Sequence, residues 1–478
     1  MASLGCQTHK ERRCHPIGYI IRQLQTSATI TDQNLLEALQ RVMPPEVIQR
    51  VIARHGIARQ RQRKLSAAFG LYLIVAMNLF ATFSLAQVLI KLMKGFRFIW
   101  TDPGFIPASK GAISQVRYAI GAKPMVDLFH AVCQPMAEAE TPGAFRFGLR
   151  LMALDGSSEM IADTPENESV FGRHTSGRGG AGYPQFQTVY LEEVGTHAIV
   201  DAGFWPIHTG ERKGGLRLLR SVGEGMLLMW DAGFHSFGMV RQTLKTKAHL
   251  LGRLPAGVHL IRIRTLPDGS CWVDLVARDH RGHILERIRV RLIEYTVCDP
   301  ALPGYGERRR LITSLLDWQR YPALALASAY HERWEIEITV DELDTHQRLA
   351  LHPLRSLKPV GVLQELYGLL VAHYAVRKIM LEAANTAGLD PDRISFINAL
   401  RLIAEAIPEF QQTAPQEHER LYGNLLHDIA RFRLPPRKAR VNPRVVKRKM
   451  STFDKKRPEH YQWPQPKTSF VDAIRILI

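Results

Sequence analysis

The chain has 478 residues, with 63 Lys and Arg against 45 Asp and Glu, a net charge of +18 and a pI near 9.8. An apolar share of 46% is that of a globular protein, and the length suits two or three domains at ~100–200 residues each. The charge points to a polyanionic partner. Five cysteines (Cys6, Cys14, Cys133, Cys271 and Cys298) are odd in number, scattered and without a CxxC, which excludes a disulfide framework and fits a reducing, cytoplasmic compartment.

Residues 1–30 read as a flexible N-terminus with no apolar core, so no signal peptide is expected. The run CQTHKERRCH gathers Cys6, His9, Cys14 and His15, but in a spacing that matches no common zinc pattern. Residues 31–140 read as a helical domain. TDQNLLEALQRVMPPEVIQRVIARHG divides into helices at Pro44-Pro45, with Thr31 or Asp32 as a cap, and 65–95 and 112–137 continue the pattern. From Leu65 to Ile90 there is no charge, which by length alone resembles a membrane span. Ser66, Asn78, Thr82, Ser84 and Gln87 interrupt it, so the reading is two buried helices joined near residues 81–84, and no membrane.

After a loop at 139–143 the texture changes. FRFGLRLMALDGSSEMIAD reads as a hairpin turning at Asp155-Gly156, and THAIVDAGF as a further strand. ERKGGLRLLRSV reads as a helix, and GMLLMWDAGF as a buried strand ending at Asp231. Strands interleaved with helices predict an α/β core whose first part spans 141–247. Residues 248–312 turn β-rich, with a hairpin at Asp268-Gly269 and the alternating run ILERIRVRLIEYTV. Residues 313–360 carry the core helix described next, and 361–430 are helical again. The end, 431–478, is a basic arm. Between Arg431 and Arg457 there are twelve Lys or Arg and one Asp, among them Arg437, Lys438, Arg440, Arg444, Lys447, Arg448 and Lys449. Its prolines and few apolar residues predict an extended segment ordered against something acidic.

The stretch YHERWEIEITVDELDTH places Tyr330, Arg333, Glu337 and Asp344 on one helical stripe. Asp155 and Asp231 end strand-like runs, where a carboxylate needs solvent, a hydrogen bond or a metal. Two strand-end aspartates and a helical glutamate, Glu337, form a hard-oxygen set suited to Mg²⁺ or Mn²⁺, and two such ions serve phosphoryl transfer. Arg333 would offer phosphate a bidentate partner. The plainer readings are a turn at Asp-Gly and an ordinary i, i+4 ion pair.

YHERWEIE…DELDTH resembles the Y-x2-R-x3-E-x6-K signature of the insertion-sequence-four family of DDE transposases. RRLITSLLDWQRYPALALASAYHERWEIE, ALDGSSEMIADTPEN, LLMWDAGF, RSLKPVGVLQELYGLLVAHYAVRKIM and RVNPRVVKRKM resemble further segments of that family in the same order. The resemblance implies an RNase H-like mixed-sheet core with a β-rich insertion, flanked by helical N-terminal DNA-binding and C-terminal regions. It implies a metal-binding triad of Asp155, Asp231 and Glu337, with Tyr330 and Arg333 on DNA phosphates. The implied activity is cleavage at the ends of the element and joining of its 3′-OH ends to target double-stranded DNA, by a homodimer, with a hairpin route suggested. The chain departs from the signature at Asp344, where the family has Lys. There an acid would repel phosphate, and Asp344→Lys is expected to strengthen end binding, unless Asp344 pairs with Arg348. His346 or Arg348 could take over the contact. The competing readings are a catalytically impaired DNA-binding derivative and an RNase H-like nuclease without strand joining.

Overall fold

The computed structural model describes residues 41–57, 66–93, 109–176, 179–302, 304–348, 353–435, 445–446, 454–462 and 468–477. The CQTHKERRCH run, the caps Thr31 and Asp32, and all seven basic residues singled out from Arg437 to Lys449 lie outside the described residues.

Five helices open the described chain: α1 (Pro45–His55), α2 (Ala67–Leu79), α3 (Leu85–Met93), α4 (Lys110–Ile120) and α5 (Lys123–Val132). Helix α1 starts on the second proline of the pair, whose missing N–H is not needed at the first helical position. Ser66 caps α2 by accepting a hydrogen bond from the Phe69 N–H at 3.0 Å. The uncharged run is thus two helices joined through residues 80–84, as its polar residues predict. Helix α2 is buried all round because it packs on the long helix α6, Pro359–Ala387 in the chain's C-terminal half. Gly368 permits that approach, since a Cβ there would lie 2.8 Å from the Ile74 carbonyl oxygen. Asn78 donates to the carbonyls of Ile74 and Glu365, so its amide is hydrogen-bonded inside the packed pair. Among the described residues no helix is long and apolar enough to cross a membrane.

The sheet explains where the aspartates go. Strands β1 (Leu149–Met160), β2 (Gln185–Glu193) and β3 (Ala198–Pro206) are antiparallel neighbours. The helix Glu211–Leu218 then leads to β4 (Met226–Trp230), which lies parallel to β1. A second crossover helix, Phe237–Lys245, leads to β5 (His249–Arg253), parallel to β4. The order β3-β2-β1-β4-β5 is an RNase H-like mixed sheet.

Two sequence expectations need correction. The predicted hairpin at Asp155-Gly156 is one continuous twelve-residue strand, β1. Gly156 does not supply a turn; its missing side chain leaves room for Glu211, whose carboxyl group would lie 2.9 Å from a Cβ there. The strand's true partner is β2, reached only after the loop and short helix at 161–184. The β-rich segment beginning at 248 also contains β5, the fifth strand of the core. The strands that follow are β6 (Ile261–Thr265), β7 (Cys271–Arg278), β8 (Ile284–Val297) and β9 (Arg309–Thr313). Strand β9 pairs antiparallel with β5, so these strands prolong the core sheet in the order β5-β9-β8-β7-β6.

The next segment is helical from Ala323 to Gln347 but not uniform. It is α-helical over Ala323–His331, tightens to 3₁₀ over Glu332–Trp334, resumes as α over Glu335–Asp341 and widens to π over Glu342–Gln347. After α6 come Phe396–Gln412 and His418–Arg431, which with α2 and the sheet share one hydrophobic core. The C-terminal residues Ile474–Ile476 return to pair with Tyr295–Val297 of β8, so the basic arm does not end free.

Candidate active site

The parallel ladder between β1 and β4 ends with Leu154 opposite Trp230. Asp155 and Asp231 are the next residues on the two strands, which sets them side by side where the ladder stops. Asp231 Oδ1 accepts the Gly233 N–H at 2.9 Å, and Asp155 Oδ1 accepts the Gly156 N–H at 2.8 Å. Burial lifts the pKa of Asp155; nearby Arg333 pulls it down, and Asp231 adds to the rise.

Glu337 arrives on the helical segment laid against β1. Arg333 bridges the elements, with Nη1 3.8 Å from Asp155 Oδ2 and Nη2 3.4 Å from Glu337 Oε1. Its side chain is 6% exposed, whereas that of Glu337 is 46% exposed and open to a ligand. Arg333 Nε has no hydrogen-bond partner. A guanidinium sitting between two carboxylates occupies the place a cation would take. Hard carboxylates around a stand-in cation are a donor set that fits a divalent metal ion.

Apart from Glu337, the stripe faces inward instead of lying open to DNA. Tyr330 is buried, and its hydroxyl donates to the Trp230 carbonyl at 3.2 Å, fixing the end of β4 just before Asp231. Burial pushes its pKa up to about 12. The structure therefore gives Tyr330 no open phosphate-binding face. Asp344 lies against β1: Arg348 Nη1 is 3.1 Å from Asp344 and 2.5 Å from Glu159, four residues beyond Asp155 on the same face of that strand. Burial and Glu159 push the Asp344 pKa up to about 8 against the pull of Arg348. Arg348 is thus committed to two acids, and His346 sits 3.4 Å from Asp341.

Several positioning residues escaped sequence reasoning because their partners are distant in the chain. Asp268, at the hairpin turn between β6 and β7, accepts the Ala323 N–H at 2.9 Å and so caps the start of the helix leading to Glu337. The same carboxylate pairs with the fully buried Arg291, which also donates to Ser270 Oγ and the Tyr321 carbonyl. At the helix's other end, Glu342 is buried against Arg377 and His373 of α6. Burial opposes its charge, but Arg377 and then His197 and His373 hold its carboxyl well below the usual range.

Among the described residues, His197, Glu335 and Asp392 bring potential metal-ligand atoms within 4.8 Å of one another, a closeness the triad does not reach. His197 Nε2 lies 3.1 Å from each carboxylate, while Arg377 stands against Nδ1. Burial and Arg377 oppose a charge on His197, but Asp392 and Glu335 raise its pKa well above the usual imidazole range, so the ring is held protonated and offers no lone pair to a metal. This cluster is a hydrogen-bonded anchor between the β2–β3 turn, the Glu337 helix and α6. A fourth carboxylate, Glu211, stands beside the aspartates. Its Oε1 accepts from Gln187 Nε2 at 3.2 Å, and its pKa is raised by burial and then by Asp155 and Asp231. An open groove lined by Gln187, His208, Glu211, Arg212 and Gly233 runs alongside.

Strand-end aspartates on an RNase H-like sheet beside a helix carrying Arg and Glu are the arrangement expected of the catalytic domain of a DDE transposase. Residues 147–374 match the Transposase DDE domain family, and residues 33–130 match the Insertion element 4 transposase N-terminal family. The chain is 28% identical over 431 residues to the transposase InsG for insertion sequence element IS4 of Escherichia coli (strain K12), covering 87% of this chain and 92% of that protein. A piggyBac transposase solved as a synaptic complex with hairpin DNA overlaps 82% of this chain and 84% of its own, with a TM-score of 0.40 and 13% identity, too distant to carry an argument. The chain belongs to the insertion element 4 family of DDE transposases. It is an enzyme that acts on DNA, of a class that works with divalent metal.

Proposed function

We propose that this transposase cuts at the ends of its own element and joins the freed 3′-OH ends to target DNA, with Asp155, Asp231 and Glu337 holding two Mg²⁺ or Mn²⁺ ions. The observation that carries this is the β1–β4 register, which ends at Leu154 and Trp230 and leaves two carboxylates adjacent under Glu337. Bound divalent ions would activate the attacking oxygen and stabilise the leaving one. Asp155 and Asp231 orient the site from rigid strands. Glu337, more exposed, closes it from the helix. Were metal ions to take its place between the two acids, Arg333 would be free to offer its fork to a backbone phosphate.

Cleavage is attack by water on the phosphodiester at the element end, breaking the P–O bond to the 3′ oxygen, which leaves as a 3′-hydroxyl. Joining is attack by that hydroxyl on a target phosphodiester, forming one P–O bond and breaking another, with no covalent enzyme intermediate. The basic run from Arg431 to Arg457 serves as a DNA-backbone contact, the helical domain of residues 31–140 binds DNA, and the chain acts as a homodimer on its DNA. The test is incubation of the full chain with element-end DNA and Mg²⁺, with Asp231→Ala in parallel. Nicked and joined products are expected from the parent alone. Products from the variant, or nicking of unrelated DNA without joining, would refute the reading.

A further inference from the structure

We infer that Glu211 is a fourth carboxylate ligand for divalent cation at the Asp155–Asp231 centre, an inference that rests on the triad reading. Its helix, Glu211–Leu218, starts a few residues after β3 with Gly210 at its N-cap, and leads to β4, the strand that ends at Trp230 just before Asp231. The backbone then makes room for it: Gly156 follows Asp155, and a Cβ at that position would lie 2.9 Å from both Cδ and Oε1 of Glu211. Any residue but glycine at 156 would displace the carboxylate.

One oxygen is held by Gln187 Nε2 at 3.2 Å, a bond that orients the group and leaves the other oxygen available, as supports behind metal-bound carboxylates do. Arg212, the next residue, donates from Nε to the Gly233 carbonyl at 2.8 Å, while the Gly233 N–H donates to Asp231. The helix carrying Glu211 and the loop carrying Asp231 are therefore tied together. Arg333 bridges Asp155 and Glu337, while Glu211 lies close enough to Asp155 and Asp231 for their like charges to act on it. A divalent ion there would relieve that repulsion.

The ordinary alternative is that an acid in a helix's first turn complements the helix dipole. The two accounts predict opposite signs for the metal-free protein. As a ligand crowded by like charges, Glu211 destabilises the apo chain, so Glu211→Gln raises its melting temperature; as a dipole partner, its removal lowers it.

The experiment is Mn²⁺ titration of the full chain by calorimetry or electron paramagnetic resonance, paired with melting of the metal-free protein, for the parent, E211Q, G156A and D231A. E211Q is expected to bind Mn²⁺ roughly tenfold or more weakly, within the range for disturbing a metal's supporting groups, and to melt higher without metal. G156A, which keeps the acid but displaces it, should weaken Mn²⁺ binding in the same direction. Parent-like Mn²⁺ affinity in E211Q, or a lower apo melting point, overturns the inference. D231A separates the causes: if it loses Mn²⁺ while E211Q does not, only the fourth ligand fails, and if both bind like the parent, the triad fails with it.

Discussion

Replacing Asp344 by Asn should flatten the pH dependence of stability. Asp344 is pushed up to about 8 from an ordinary value of 3.8 by burial and by Glu159, with Arg348 pulling the other way. A carboxyl whose folded pKa lies above its unfolded one keeps its proton in the folded state while the unfolded chain gives it up. Its stabilising contribution is therefore complete below about pH 4 and is lost as pH rises toward 8. Four pH units at about 1.4 kcal/mol each set a ceiling near 6 kcal/mol. Asp344 and Glu159 lie close enough to share a proton, and the Asp344 side chain is 27% exposed, so roughly 2–3 kcal/mol is the expected share. Asn keeps an acceptor for Arg348 and offers a donor to Glu159 at every pH. Urea denaturation at pH 4, 7 and 8.5 should show parent and Asp344→Asn nearly equal at pH 4, with the variant ahead by ~2–3 kcal/mol at pH 8.5. Parallel curves across that range would refute the reasoning. Asp344→Lys, expected from the family signature to strengthen end binding, should leave it unchanged, because the side chain faces Glu159 on β1.

Ala at Asp155, Asp231 or Glu337 should abolish strand cleavage while leaving end binding nearly intact, read by gel shift beside a nicking assay. Asp268→Ala strips the buried Arg291 of its carboxylate and the Ala323 N–H of its cap, and should cost about 3–5 kcal/mol in denaturation, as uncompensated buried charges do. Arg377→Met should cost a similar ~3–5 kcal/mol at neutral pH by stranding Glu342. Because the folded pKa of Glu342 is depressed, the contribution it makes is present above the ordinary carboxylate range and is lost as pH falls below it. Gln substitutions at Arg437, Lys438, Arg440, Arg444, Lys447, Arg448 and Lys449 should flatten the salt dependence of DNA binding, by ~0.9 in log–log slope for each phosphate no longer neutralised. Substitution is the cleaner test, since truncating after Ala430 would also remove the strand docked on β8. An unchanged slope would place the DNA surface elsewhere.

Local chemistry settled much of this protein. Helix periodicity, caps and the polar interruptions in the uncharged run identified the N-terminal helices, because those signals act within a few residues. Buried apolar runs marked the core strands, and the two aspartates and the glutamate stood out by residue type and position. Only the tertiary structure decided how they meet. Asp-Gly at 155–156 has turn chemistry, yet the backbone stays extended because β2 pairs with it through Tyr190 and Val189 and Glu211 fills the space above the glycine. Tyr330 and Asp344 share a helical stripe with Glu337, but the helix lies on the sheet, and they meet Trp230 and Glu159 respectively. Asp268, Arg291, Glu342, Arg377 and Glu211 act through partners tens to more than a hundred residues away, or across the sheet. Spacing in the chain is silent about such pairs, since strand pairing and packing over the whole core, not local propensity, bring them together.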